Sequence, residues 1–365
     1  MMAVAFIIWG MDVYSPRKIR IGNRTEERTT FARAAFFFVF VTFFAGLRGV
    51  IADTTTYIGM FKAWPDEIAL LDIDAIEKDK GFTILSVIFK QFISKDPQAW
   101  LMAIAIITML GIVIPIYKHS PAFGFSAFLF IATTDFTWLF NGMRQFIAVA
   151  VIFLAMDFIV DKKFIKYAII VVLMSFIHGS AILMLPIYFI VQGKPWSTRM
   201  WISIIACVVG IFAFDSLMPT FGDMLSETQY DGYIDYMSED GGGSIIRALV
   251  ALVPVGFAFY KRKEIAIIND KRINLAINMS VFNFFCVLLA SLSSGIFMGR
   301  LNIYFEVYNL ILLPWIIKKV FHGQTRQMMT VACVGAYIIW FYYQMVLTWN
   351  YVYNSQILNT ASWLN

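Results

Sequence analysis

Residues 97–117 read PQAWLMAIAIITMLGIVIPIY, a run without one charged side chain. Wound as a helix at about 1.5 Å per residue, it covers roughly 30 Å, the thickness of the hydrocarbon core of a bilayer. The rest of the chain repeats the pattern, with apolar segments at 1–14, 30–47, 122–140, 145–160, 164–177, 179–192, 200–215, 245–261, 273–294, 301–317 and 327–347. Together they predict an all-α, polytopic integral membrane protein of about 12 helices, a single transmembrane domain over 1–365. Composition agrees: the 365 residues are 60% hydrophobic and 15% charged, with mean hydropathy +0.72. Soluble domains run at roughly 45–50% apolar and about 25% charged. An apolar excess of that size, spread along the whole chain, is buried in lipid. That excludes a soluble enzyme, a nucleic-acid binder and a disulfide scaffold. Cys207, Cys286 and Cys333 lie inside apolar runs without metal-ligand spacing and read as packing residues. Residues 1–14 lack the basic start and small-residue cleavage site of a signal peptide, and are short for a span.

The net charge of +5 sorts by side. Basic clusters occupy Arg17–Arg28, Lys162–Lys166, Lys194–Arg199, Lys261–Arg272 and Lys318–Arg326, so these loops are expected to be cytoplasmic. The loops at 48–96 and 216–244 are acidic and are expected outside. This alternation fits both termini outside, and makes 164–192 a hairpin of two short helices with His178 at its external tip. Residues 81–93 are too short to span. Leu85, Ile88, Phe89 and Phe92 form an apolar stripe at helical spacing, with Thr83, Ser86 and Lys90 off it, which predicts an amphipathic helix on the outer interface. Trp100, Trp138 and Trp349 are expected to anchor that interface, and Trp196 and Trp201 the inner one.

Four arginines stand on the side that otherwise avoids positive charge: Arg48, Arg144, Arg247 and Arg300. One such residue is explained by a loop carboxylate or by snorkelling to lipid phosphate. Four at external helix ends point to an anionic ligand, because Arg presents a fixed fork that matches phosphate. Arg48 opens the stretch Arg48-Gly-Val-Ile-Ala-Asp53-Thr-Thr-Thr-Tyr57. There Asp53 either caps the following helix or helps grip a phosphate and a sugar. His178, alone among the three histidines on the external side, either caps a carbonyl or takes a proton. Asn141-Gly-Met-Arg144-Gln145 starts the fifth apolar segment, and Gln145 offers an amide to a phosphate or hydroxyl. Glu306, beside Tyr304 and Tyr308, is an intramembrane carboxylate and hence a site candidate. Asn274, Asn278 and Asn283 read as interhelical glue. No metal-ligand cluster or Gly-rich phosphate loop is present at credible spacing, and no metal or cofactor is expected.

Several of these segments resemble one family, the EpsG-like branch of Wzy-type polysaccharide polymerases. Arg48 to Tyr57 followed by Phe61 resembles its "R…GTDY…Y…F" stretch, although the Gly and adjacent Tyr are missing. Lys80-Gly81-Phe82 resembles its "E-x-G-F" start of an interfacial helix, with the Glu not matched by Asp79-Lys80. Asn141-Gly-Met-Arg144-Gln145-Phe-Ile-Ala148 resembles its "N-x-x-R-Q-x-x-A" helix start. Asp161–Tyr167 and Phe176-Ile-His178-Gly-Ser180 resemble its basic loop and "F-H-x-S" break, and Gly299-Arg300-Leu-Asn-Ile-Tyr304-Phe305 its "R-x-x-x-Y-F" element. The matches run in order across residues 40–310.

The resemblance implies a glycosyltransferase of the inner membrane. It would join undecaprenyl-diphosphate-linked repeat units into O-antigen, capsule or exopolysaccharide at the periplasmic or external face. It implies Arg48, Asp53, Arg144, His178 and Arg300 as catalytic candidates. Tyr57, Asn141, Gln145, Arg247, Tyr304 and Glu306 are expected to bind substrate. The partners expected are the lipid-linked repeat units, membrane lipid and a chain-length regulator protein, not nucleic acid. The acidic loop with Tyr230, Tyr233 and Tyr236 suits sugar hydroxyls and faces. Two alternatives use similar substrates: a flippase for the lipid-linked oligosaccharide, and an O-antigen ligase. A flippase predicts internal symmetry, and no repeat is evident in the chain.

Overall fold

The computed structural model describes residues 1–21, 24–206, 208–209, 244–292, 296–355 and 357–358. The end of segment 200–215, Cys207 and the acidic loop with its three tyrosines lie outside the described residues. Helix makes up 76% of the structure. Among the described residues three helices are long and apolar enough to cross a membrane: Pro97–His119, Lys271–Ser291 and Gly323–Thr348. Shorter apolar helices are found in several of the other segments, among them Met2–Tyr14, Phe31–Gly46 and Ile245–Tyr260. Phe31–Gly46, with 16 residues, reaches about 24 Å, less than a full hydrocarbon core of roughly 30 Å. The chain divides into two compact units, residues Met1–Ala155, Ile170–Ala181 and Pro314–Asn365 in the first, and Met156–Ile169 and Ile182–Leu313 in the second.

In the first unit, α1 (Met2–Tyr14), α2 (Phe31–Gly46), α5 (Pro97–His119), α6 (Phe123–Ala132) and α7 (Met143–Leu154) carry the apolar segments, with α3 (Thr54–Ala63) and α4 (Lys80–Phe92) between them. Helix starts follow local chemistry. Thr30 accepts the Arg33 amide at the start of α2, and Asp96 accepts the Gln98 amide at 3.0 Å ahead of Pro97, the first residue of α5. The α2 helix begins beside Arg28 and ends at the Arg48 loop, while α5 runs the other way. The unit therefore has a basic end and an opposite end.

At the basic end the otherwise helical unit carries a small antiparallel hairpin that the sequence reading did not expect, β1 (Arg17–Ile21) with β2 (Arg24–Arg28). Its sequence, rich in charge and short of apolar residues, shows neither hydrophobic period that marks a strand or a helix. It is tied down by charge: Glu26 pairs with Lys319 at 3.2 Å and Glu27 with Lys318 at 3.5 Å, while Arg28 donates to the Lys118 and Ser120 carbonyls. Three of the loops read as basic or cytoplasmic thus gather at one end of the unit.

The α4 helix has the expected amphipathic period, and its outward face is apolar. Leu85, Ile88 and Phe92 are exposed, whereas Thr83, Ser86 and Lys90 are buried with Phe82 and Val87. Polar side chains face inward because the neighbouring backbone needs them. Lys90 Nζ donates to the Trp64 and Lys62 carbonyls and meets Asp66 at 3.2 Å. Trp100, expected as an interface anchor, is instead buried: it stacks on Phe61 at 4.7 Å between centroids and donates to Ser86 Oγ at 3.1 Å. An indole sheds its water readily once its N–H finds a partner.

In the second unit α8 (Met156–Val160) leads through a turn into the start of α9 (Phe164–Ile177), a helix whose residues from Ile170 on belong to the first unit, and α10 (Met184–Ile190) returns to the second. Phe164 packs on Tyr188 and Phe189, and Tyr167 on Tyr188, at 4.9–5.3 Å between centroids. The start of α9 therefore meets the end of α10, the hairpin expected from the charge pattern. Helices Ile245–Tyr260 and Lys271–Leu292 pack through Ala248, Ala251 and Val287. Asn278 donates to the Val191 carbonyl at 2.7 Å, and Asn283 accepts from Asn302 at 3.5 Å, as interhelical glue should. Segment 301–317 is broken into Ile303–Glu306 and Asn309–Lys319, so Glu306 sits at a helix break rather than inside one continuous span.

Candidate functional site

At the end of the first unit opposite the hairpin, four consecutive residues at the start of α7 together hold three distant segments. Gly142, at φ +67°, turns the chain into the helix, a conformation that costs a side chain but not glycine. Its amide donates to Asp53 Oδ2 at 3.2 Å. Met143 offers its sulfur to Arg48, Arg144 pairs with Asp79 at 2.9 Å, and Gln145 donates to Ser180 Oγ at 3.4 Å. Successive positions on one helical turn point about 100° apart, so one short motif reaches the segments at 48–53, 79–82 and 178–180.

Arg48 is only 1% exposed. Its Nε donates to Thr54 Oγ1 at 2.9 Å, one Nη to the Ala45 carbonyl and the other to Met143 Sδ. The guanidinium lies 5.6 Å from the centre of the Phe140 ring. Among the described residues no carboxylate pairs with it. Dipoles and a ring face soften the cost of burying a cation, yet they do not replace a counter-ion. Burial pushes the guanidinium down to about 10, which leaves it charged at neutral pH.

Asp79 is the hub of the remaining cluster. Its side chain is 5% exposed; Oδ2 takes both Arg144 Nη1 at 2.9 Å and His178 Nδ1 at 3.3 Å, and Oδ1 accepts the Gly179 amide at 3.1 Å. A carboxylate only accepts, so His178 donates from Nδ1, and in the neutral ring that leaves the lone pair on Nε2. His178 is 21% exposed and Arg144 30%, so both also face outward from the cluster. The Arg144 guanidinium lies 6.0 Å from the ring centres of both Tyr57 and Phe82. Gly81 sets the spacing: a Cβ there would stand 2.8 Å from Phe176 Cβ and 2.9 Å from the Phe176 carbonyl oxygen. Only glycine lets α4 begin this close to the end of α9, which brings Asp79 to His178.

Asp53 does not cap α3 through its side chain; it spends Oδ2 on Gly142 instead. Tyr57, buried on α3, joins the aromatic cluster of Phe61, Phe82 and Trp100. Asn141 is bonded to the phenol of Tyr351. Residues 351–355, after the last helix, lie along the Arg48 loop: Gly49 donates to the Asn354 carbonyl at 2.6 Å, Ser355 to the Leu47 carbonyl and Tyr353 to the Phe44 carbonyl at 2.9 Å.

Seven of the residues singled out in the sequence thus lie together in the first unit: Arg48, Asp53, Tyr57, Asn141, Arg144, Gln145 and His178. Arg247, Arg300, Tyr304 and Glu306 belong to the second. Arg247 stands in the first turn of Ile245–Tyr260; Arg300 is exposed near the end of Ile296–Leu301; Tyr304 is buried; Glu306 accepts from Asn302 at 3.4 Å. Sequence reasoning missed Asp79, set aside as an imperfect match although it stands two residues before Gly81. It also missed the 351–355 segment, which carries no motif.

A model of the EpsG family matches residues 32–359. No curated protein and no solved structure matches the chain. The matched range takes in every site residue named above together with the 351–355 segment, and on that match the chain belongs to the EpsG family.

Proposed function

We propose that this chain is a membrane glycosyltransferase that polymerises repeat units carried on a lipid diphosphate, undecaprenyl diphosphate being the carrier the family resemblance implies. The observation that carries the reading is Arg48, a buried guanidinium without a carboxylate partner among the described residues, one helix start away from an Asp79–His178–Arg144 cluster. In the proposed reaction a sugar hydroxyl of the incoming unit gives its proton to His178 Nε2. Its oxygen bonds to the anomeric carbon of the growing glycan, and the carbon–oxygen bond to the diphosphate breaks. The electron pair leaves with the diphosphate, whose growing charge Arg48 and Arg144 stabilise. Asp79 holds the imidazole in the required tautomer, and Asp53, Asn141, Tyr57 and Gln145 order the loops around it. In the second unit Arg300, Arg247, Tyr304 and Glu306 are proposed separately as residues that act on the substrate.

Such a reaction belongs on the outer face of the cytoplasmic membrane. Consistent with that, the cluster lies at the end of its unit away from the basic loops. Arg48→Ala, Arg144→Ala and Arg300→Ala are each expected to abolish polymer while single repeat units remain on lipid. Normal chain-length ladders on a gel in all three would refute the site.

A further inference from the structure

The second unit contains a cavity of about 640 Å³ that none of the foregoing chemistry uses. It opens where three turns meet: 161–163 between α8 and α9, 191–194 after α10, and 269–275 leading into helix Lys271–Leu292. Four lysines line it. Lys163 is neutralised by Asp161 at 2.7 Å, but Lys162, Lys194 and Lys271 make no ion pair among the described residues. Lys162 and Asn269 hold left-handed backbone, at φ +58° and +48°, which fixes two of the turns.

The inner wall adds a second observation. Gln192 lines the cavity, and its side-chain Nε2 is buried with no hydrogen-bond partner among the described residues. A buried N–H left unmade is costly, and native structures rarely keep one without a use. The turn that carries it is anchored, because Asn278 donates to the carbonyls of Val191 and Gly193 on either side. Lysines that merely mark the cytoplasmic side need only stand in water. These three share one concavity with an orphaned donor, and that combination calls for an acceptor-rich anion.

We propose that this cavity binds a phosphate-bearing group, either a lipid head group or free phosphate or diphosphate. Lysine suits phosphate as a point charge, and the Gln192 amide, enclosed in this conformation, turns toward the anion to supply the directional bond. The volume falls within the range of small-molecule sites and exceeds what a bare phosphate fills. The site is independent of the polymerase reading.

Native mass spectrometry of the full chain in detergent tests it, with phosphatidylglycerol, phosphatidylcholine and inorganic diphosphate as probes. The combined Lys162→Gln, Lys194→Gln and Lys271→Gln variant should bind the anionic probes about tenfold more weakly. Gln192→Leu, which changes no charge, should weaken them about threefold. A control with the same charge loss, Lys261→Gln with Arg262→Gln and Lys263→Gln, should stay within about twofold of the unmodified chain. Binding of phosphatidylglycerol alone assigns a lipid head group, and binding of diphosphate alone a free anion. Equal losses in the two triple variants, an unchanged Gln192→Leu, or no binding of either anionic probe would overturn the proposal.

Discussion

Replacing Asp79 by Asn keeps the side chain's shape and removes its charge. The Gly179 amide, 3.1 Å from Oδ1, keeps its acceptor. At the other oxygen Arg144 at 2.9 Å and His178 at 3.3 Å both lose theirs, because an NH₂ group there points donors at donors. His178 escapes the clash by moving its proton to Nε2, and that nitrogen no longer offers the lone pair that takes the substrate's proton. Hydrogen bonds to charged groups contribute about 1.5–3 kcal/mol each. With Arg144 30% and His178 21% exposed, solvent screening brings the pair to roughly 2–3 kcal/mol of local stability. The effect on the reaction is larger. Loss of general-base function costs about 10²- to 10⁴-fold, or roughly 3–5 kcal/mol of barrier. The assay is the initial rate of joining of a defined lipid-diphosphate repeat unit by purified protein, with kcat and KM separated. We expect kcat to fall within that range while KM for the donor changes by less than about threefold. A kcat within threefold of the unmodified protein, at equal amounts of folded chain, would refute the role of Asp79 as the residue that positions His178.

Arg48→Lys keeps a positive charge but loses the fork that reaches Thr54, Ala45 and Met143. It should lower the joining rate roughly ten- to a hundredfold, measured in the same assay. Gly81→Ala drives a methyl against Phe176 backbone as well as side chain. It should cost about 1–3 kcal/mol in thermal stability and also cut activity, and adding Phe176→Ala should not restore either one. The Glu26 carboxyl is raised by partial burial but held below its ordinary value of 4.5 by Lys319 and Arg28, whose pull outweighs it. A depressed carboxyl contributes stability above its unfolded value and loses it as pH falls through the folded one. The melting-temperature gap between the unmodified chain and Glu26→Gln should therefore be present at neutral pH and close on acidification below pH 4.5.

Hydropathy found the apolar helices because their period and length depend only on neighbouring residues. The predicted 164–177 segment coincides with Phe164–Ile177, and the aromatic contacts of Phe164 and Tyr167 bear out the hairpin. It could not see that segments 122–140 and 301–317 are interrupted, since a break at Thr133–Thr134 or Val307–Tyr308 leaves average hydropathy unchanged. The inward polar face of α4 was hidden for a related reason: a stripe reveals two faces, not which one meets the protein. Arg48, Arg144 and His178 stood out as charge or proton chemistry at helix ends. Asp79 did not, because one carboxylate in a loop full of them carries no local mark. Its importance comes from Gly81, whose missing side chain lets two distant segments touch.

The central claim is that this chain joins lipid-diphosphate-linked units rather than moving them. The direct measurement gives purified protein in proteoliposomes one defined repeat unit on a lipid diphosphate and analyses the glycolipids by mass spectrometry. The account predicts dimers and longer oligomers together with one free lipid diphosphate per bond formed, all lost in Arg48→Ala. Unjoined single units, whether left in place or carried across the bilayer, would contradict it.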